Sequence, residues 1–247
     1  MRRFQTPLIY ALVFLFLPLV ALNSLTSGRY VAGLYADLPI TDNRLTEAER
    51  LALALVAVHY LQYGEPAGAE NVELLAAQRW PNGATPLYTT DELRHMVDVR
   101  TRVRQARWLL GFSGLGLVFG WFRASRNRDG HLRFWRDLQN GAAFTVMAGL
   151  GVAVLVLFFW PLVNLYFHAF FFGGLAGNWQ FPAESGLITL FPPSFWMAVA
   201  LSWTGRTLGL GTAMVVAAGF WRYWLRPEAE PAGADVAANL VSGKVAG

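Results

Sequence analysis

Apolar residues along this chain gather into four blocks, separated by intervals where polar positions and helix breakers dominate. The blocks run from Pro7 to Leu25, Ala106 to Phe122, Ala142 to Leu165 and Ser194 to Trp221. An α-helix needs about 20 mostly apolar residues to cross the hydrocarbon of a bilayer, and each block is of that order. The pattern predicts a mainly α membrane protein built as a four-transmembrane-helix bundle, with helices over 7–26, 106–122, 142–165 and 194–222. The intervals then become a small extracytoplasmic cap (27–105), an Arg-rich loop (123–141), an outer loop (166–193) and a tail (223–247). The tail is rich in Ala, Gly and Glu, a composition expected to remain disordered.

Within the cap, Gly28, Gly33, Pro39 and Asn43 predict an irregular opening. Thr46 and Glu49 then form a capping box ahead of the apolar run Leu51–Leu61, which Gly64 stops. A helix that is apolar around most of its circumference must be buried or lie in the membrane interface, so His59 inside it reads as a packed or interfacial residue. Residues 64–88 are punctuated by Pro and Gly and read as loop. Thr89 and Glu92 make a second capping box, and no breaker follows until Gly111. One helix is therefore expected to carry His95 from the cap directly into the second span.

The composition agrees: 247 residues, 55% hydrophobic and only 15% charged, with a mean hydropathy of +0.35. That is too little charge for an ordinary soluble domain. Arg2 and Arg3 precede the first block, which is longer than the apolar region of a secretory signal and reads as an anchor. With Arg123, Arg126, Arg128, Arg133, Arg136, Arg222 and Arg226 also placed in the cytoplasm, both termini are cytoplasmic and the cap faces outward. The arginines are dispersed without an aromatic-interleaved patch, so no nucleic-acid partner is expected. The chain has no cysteine, hence no thiol nucleophile and no disulfide.

Chemistry is suggested by two histidines expected at one membrane interface. His95 stands just before the second span and His168 just after the third. A lone interfacial histidine can simply snorkel, and the surrounding aromatics suit an interfacial belt. A pair contributed by different segments asks for more. Asp98, three residues after His95 and on the same helix face, could fix its tautomer, or could equally pair with Arg94 or Arg102. No H-E-x-x-H or comparable ligand set points to a metal, and no G-x-S-x-G elbow points to a serine hydrolase. What remains is a histidine acid–base centre with no protein nucleophile and no cofactor, which suits a substrate that brings its own nucleophile.

The run Asp91-Glu92-Leu93-Arg94-His95-Met96-Val97-Asp98-Val99-Arg100 resembles the His-Met-x-Asp-Val-basic motif of the bacterial lipoprotein intramolecular transacylases. Phe167-His168-Ala169-Phe170-Phe171-Phe172 is similar to their Phe-His-x-x-Phe-Phe motif. Asn178-Trp179-Gln180-Phe181-Pro182 and the run Leu187–Trp196 resemble the segments downstream of that second motif in the family. The resemblance covers most of residues 1–225. It departs around Gly173–Gly177, which lacks an acidic residue, and at Glu184-Ser185, where an aspartate is usual. It implies an enzyme of the bacterial cytoplasmic membrane, working on its outer face, that moves the sn-2 acyl chain of a diacylated lipoprotein to the cysteine α-amine. It implies His95 as principal base, His168 as its partner, and Asp98, Arg100, Asn178 and Trp179 as supporting or substrate-binding residues. Diacylated lipoproteins are the implied partners, with membrane phospholipid around them. A histidine-dependent lipid deacylase and a non-enzymatic membrane scaffold are the alternatives.

Overall fold

The computed structural model describes residues 5–38, 44–63 and 72–225. Four long helices carry the architecture: α1 (Gln5–Leu25), α5 (Thr90–Ala124), α6 (Arg128–Phe171) and α8 (Pro193–Trp224). Four shorter ones, α2 (Gly28–Asp37), α3 (Glu47–Tyr63), α4 (Val72–Ala76) and α7 (Gly186–Leu190), gather at one end with an isolated antiparallel bridge between Arg79 and Pro86. The tail expected to be disordered lies, from residue 226 on, outside the described residues, as does the Gly64 stop signal.

The long helices pack through small residues. A side chain at Gly149 would meet Leu208 at 2.9 Å, and one at Gly211 would meet Val146 at 2.7 Å, so α6 and α8 approach closely only because both positions are bare. The outward faces are apolar: Phe112, Leu115, Phe119 and Phe158 are 63–74% exposed. A band of that kind is tolerated in lipid and not in water. Thr6–Leu25 and Arg128–Phe171 are long and apolar enough to cross a membrane. α5 is more polar at its start, with four arginines between positions 100 and 107, and α8 carries Arg206 inside its apolar segment. The Trp203 indole N–H donates to the Pro18 carbonyl at 2.8 Å, which sets this stretch of α8 beside α1. Arg206 leans back along α8 to donate to Ser24 Oγ at 2.6 Å and covers the Tyr30 ring at 4.9 Å. Its charge thus leaves the apolar zone by snorkelling.

Three stretches read as irregular are helical. Residues 28–37 form α2 because the Ser27 side chain accepts from the Tyr30 N–H, an N-cap that outweighs the two glycines. The Arg-rich segment is a turn only around 125–127; from Arg128 it forms the first turns of α6, capped by Asn127. At the other end α6 runs on to Phe171, so His168 stands in a helix and not in a loop. α6 bends at Phe159 (φ −131°, ψ 31°), two residues before Pro161, whose ring cannot fit the preceding carbonyl of a straight helix.

The cap has its own core. Val31, Ala54, Tyr60, Leu75, Leu87, Met96, Leu187, Leu190 and Phe195 are buried together, so α2, α3, α4 and α7 pack onto the first turns of α5 and α8. The capping box expected at Thr46 is formed, with Glu49 Oε2 accepting from the Thr46 N–H at 2.8 Å. So is the one at Thr89.

Candidate active site

The start of α5 is fixed first. Thr89 accepts from the Glu92 N–H, and Glu92 returns one carboxylate oxygen to the Thr89 N–H at 2.8 Å. The other oxygen accepts from the Leu187 N–H, at the start of α7, at 2.7 Å. Glu92 is fully buried, so one carboxylate ends two helices at once and ties α5 to the second half of the chain. Gly186 makes this junction possible, since a Cβ there would stand 2.0 Å from the Leu87 carbonyl oxygen.

One helical turn further on is His95, 6% exposed. Its ring lies 4.7 Å from Phe172 and 5.4 Å from Phe181, centroid to centroid. His168 reaches the same place from the bent end of α6. The two imidazoles are 6.4 Å apart and tilted by 23°. Trp179 stacks on the far side of His168 at 5.2 Å, and Phe172 touches both histidines. No hydrogen bond joins the two rings, so a substrate atom placed between them can touch both.

The turn after α6 shapes this pocket. Phe172 donates to the His168 carbonyl and Gly174 to the Ala169 carbonyl. Gly173 and Gly174 have φ of 90° and 80°, conformations that favour glycine. The Asn178 side-chain amide donates to the Asp91 carbonyl at 2.8 Å, and the Trp179 indole N–H to the Gly174 carbonyl at 2.9 Å. Arg102 holds the Phe171 carbonyl at 3.1 Å. Asn178 therefore clamps the turn onto α5, and Trp179 holds its stacking position from within the turn.

Protonation is set by these contacts. The His168 Nδ1 lies 2.8 Å from the Asn164 carbonyl oxygen, which can only accept, so Nδ1 carries the hydrogen and Nε2 keeps a lone pair. Burial lowers the His168 pKa, with the Asn164 bond partly offsetting it. Burial and then the neighbouring His168 push His95 down to about 4, against smaller opposing effects of the Asn178 backbone and Asp98. Both rings are neutral at neutral pH. The His95 Nδ1 is buried and has no partner among the described residues.

The other expected residues fare differently. Asp98 is exposed and acts on His95 only through its charge; Arg94 pairs with Asp91, and Arg102 is engaged elsewhere. Arg100 covers the Tyr60 ring at 4.8 Å and so braces α5 against α3. His59 is exposed on α3, not packed into the cap. His131 is in the first turns of α6, the whole length of that helix from His168. No group of acidic and histidine side chains among the described residues could hold a metal. Sequence alone singles out neither Phe181 as a wall of the pocket nor the second bond of Glu92. A capping box reveals one partner of its glutamate, and nothing in the local pattern reveals a second partner 95 positions away.

The profile of the family described as lipoprotein intramolecular transacylase Lit matches residues 9–196. Among solved structures, the chain is similar to the membrane-integral lipoprotein intramolecular transacylase Lit from Bacillus cereus. Identity is 18% and the TM-score 0.70, covering 90% of this chain and 94% of that one. A structure of the same Bacillus protein with one histidine replaced by alanine matches at 17% identity and a TM-score of 0.60, covering 88% and 92%. No curated protein sequence matches.

Proposed function

The chain belongs to the lipoprotein intramolecular transacylase family, and we propose that it moves the sn-2 acyl chain of a diacylglyceryl-cysteine onto that cysteine's own α-amino group. The observation that carries this reading is the aromatic-walled pair of neutral imidazoles, His95 buried and His168 half-buried, at the junction of cap and bundle. The reaction needs no co-reactant. The α-nitrogen attacks the ester carbonyl through an eight-membered ring made of nitrogen, Cα, Cβ, sulfur, two glycerol carbons, the ester oxygen and the carbonyl carbon. A carbon–nitrogen bond forms, the bond between the acyl carbonyl carbon and the ester oxygen breaks, and one proton passes from nitrogen to that oxygen, which stays on glycerol C2 as the departing alkoxide.

A medium-sized ring closes slowly unless its ends are held together, so confinement between Trp179, Phe172 and Phe181 supplies orientation. Burial keeps water from competing for the ester. The resemblance made His95 the principal base, and the hydrogen bonding suits that role. The Asn178 backbone carbonyl engages the His95 N–H and the ring Nδ1 is buried without a partner among the described residues, so neutral His95 presents a lone pair that takes the amine proton and returns it to the alkoxide. His168, whose Nδ1 hydrogen is held by Asn164, presents a bare Nε2 that accepts from the amine and orients it for attack. Asn178 and Trp179 position the second motif, and Arg100 supports α5. The basic turn at 125–127 faces the cytoplasm, with both termini, and the histidines lie at the outer face.

The test is fragmentation mass spectrometry of the N-terminal lipopeptide from a diacylated lipoprotein co-expressed with the chain. The expected product has one acyl chain on nitrogen and one on glycerol at unchanged total mass. His95→Ala is expected to lose about 10²–10⁴ in rate, and His95→Gln, which keeps a donor toward Asn178 but no base, to lose about as much. Loss of one chain's mass would make the enzyme a deacylase instead.

A further inference from the structure

At the end of the bundle away from the histidines, an open groove of about 450 Å³ runs between the helices. Phe16 of α1, Gly114 and Trp121 of α5, Phe134 and Trp135 of α6 and Met214 of α8 line it. Its volume is in the range of small-molecule pockets, and its walls are almost wholly apolar. The walls become polar toward the α5–α6 turn. On α6, Arg128, His131, Trp135 and Leu138 succeed one another at spacings of three and four, so a single stripe leads from a cation to the groove.

That end is basic. Residues 121–137 contain five arginines, and of the two aspartates Asp137 is already bonded to Arg136 and to Thr6. Arg126 is exposed above the Phe122 ring; Arg128 is exposed and spends its Nε on the Leu225 carbonyl. Two buried polar atoms beside the groove, Trp135 Nε1 and His131 Nε2, have no partner among the described residues. Their rings lie 6.0 Å apart. An apolar slot, a cationic rim and two unmet polar atoms at the join are features a lone stripe of exposed apolar residues lacks.

We propose that the groove is a binding site for one anionic phospholipid. A fatty chain lies in the slot, and the phosphate sits at the rim between Arg126 and Arg128. There a small turn of the His131 and Trp135 rings gives their orphan nitrogens a partner. Basic pockets between membrane helices hold anionic head groups in this way, each cation contributing on the order of a fivefold preference. The site is independent of the transacylase reading, because it lies at the opposite end of the bundle and takes no part in acyl transfer.

The test uses the full chain reconstituted in vesicles of equimolar phosphatidylglycerol and phosphatidylcholine, then extracted gently and weighed with its retained lipid by native mass spectrometry. The wild type is expected to retain phosphatidylglycerol over phosphatidylcholine. Arg126→Gln with Arg128→Gln should lower that ratio by about fivefold or more. Val118→Trp fills the slot from a lipid-exposed position and should remove retained lipid of both kinds without unfolding the chain. Arg104→Gln, on α5 toward the cap, should change nothing. A wild type without preference, a ratio unmoved by the double arginine variant, retained lipid undiminished in Val118→Trp, or an equal loss in Arg104→Gln would overturn the proposal.

Discussion

Removing the Glu92 carboxylate is expected to weaken the protein more than any exposed charge would, and to act on His95 through the backbone. Glu92→Ala orphans the Thr89 and Leu187 N–H groups, at 2.8 and 2.7 Å from its two oxygens. The glutamate is 0% exposed, so water does not simply replace it. A lost cap costs about 1 kcal/mol, and a buried donor left without a charged acceptor about 1–3 kcal/mol. The sum of roughly 2–4 kcal/mol corresponds to a fall of about 5–15 °C in the thermal midpoint for a chain of this size. Glu92→Gln keeps one acceptor oxygen and turns a donor toward the second N–H, so it should lose about half as much. The first turn of α5 then frays beneath His95, and a displacement of about 1 Å there is enough to cost on the order of 10² in rate. Thermal unfolding in detergent, with lipopeptide conversion measured below the lowered midpoint, separates the two effects. A Glu92→Ala protein with the wild-type midpoint and wild-type turnover would refute the reasoning.

Gly186→Ala should act at the same junction, since its Cβ falls 2.0 Å from the Leu87 oxygen and forces α7 away from Glu92; a loss of about 2–4 kcal/mol is expected by thermal unfolding. Asp98→Asn should leave turnover within about threefold, because an exposed charge acts weakly through solvent, and a loss of two orders of magnitude would give Asp98 a direct role. Stability should also depend on pH through His95. Its pKa is pushed from 6.5 in an unfolded chain to about 4, so protons favour the unfolded state between those values. Stability is complete above pH 6.5 and falls as pH drops to about 4, by at most about 3 kcal/mol. His95→Gln should flatten that slope in acid-unfolding curves.

Much of the architecture was legible because the four apolar blocks fall within the four long helices and the capping boxes at Thr46 and Thr89 announce their helices. The single helix carrying His95 was implied by the absence of any breaker between Glu92 and Gly111. The rest was set by context. Asn127 and Ser27 start helices where arginines or glycines suggested irregular chain. The bend at Pro161, which aims His168 at His95, has a visible cause but no visible direction. Asp98 shares a helix face with His95 by spacing, yet the fold leaves it in solvent. Meeting of the two histidines depended on long-range ties such as Asn178 to Asp91, and period and propensity carry no record of those.

The most direct test of the central claim is a crossover measurement. Two synthetic diacylglyceryl-cysteine lipopeptides, one with isotopically heavy acyl chains and a distinct peptide mass, are converted together by the purified chain. Each product should carry only its own chains, light on nitrogen with light on glycerol and heavy with heavy, and His95→Ala should give neither. Mixed products, with a heavy chain on a light peptide's nitrogen, would contradict intramolecular transfer.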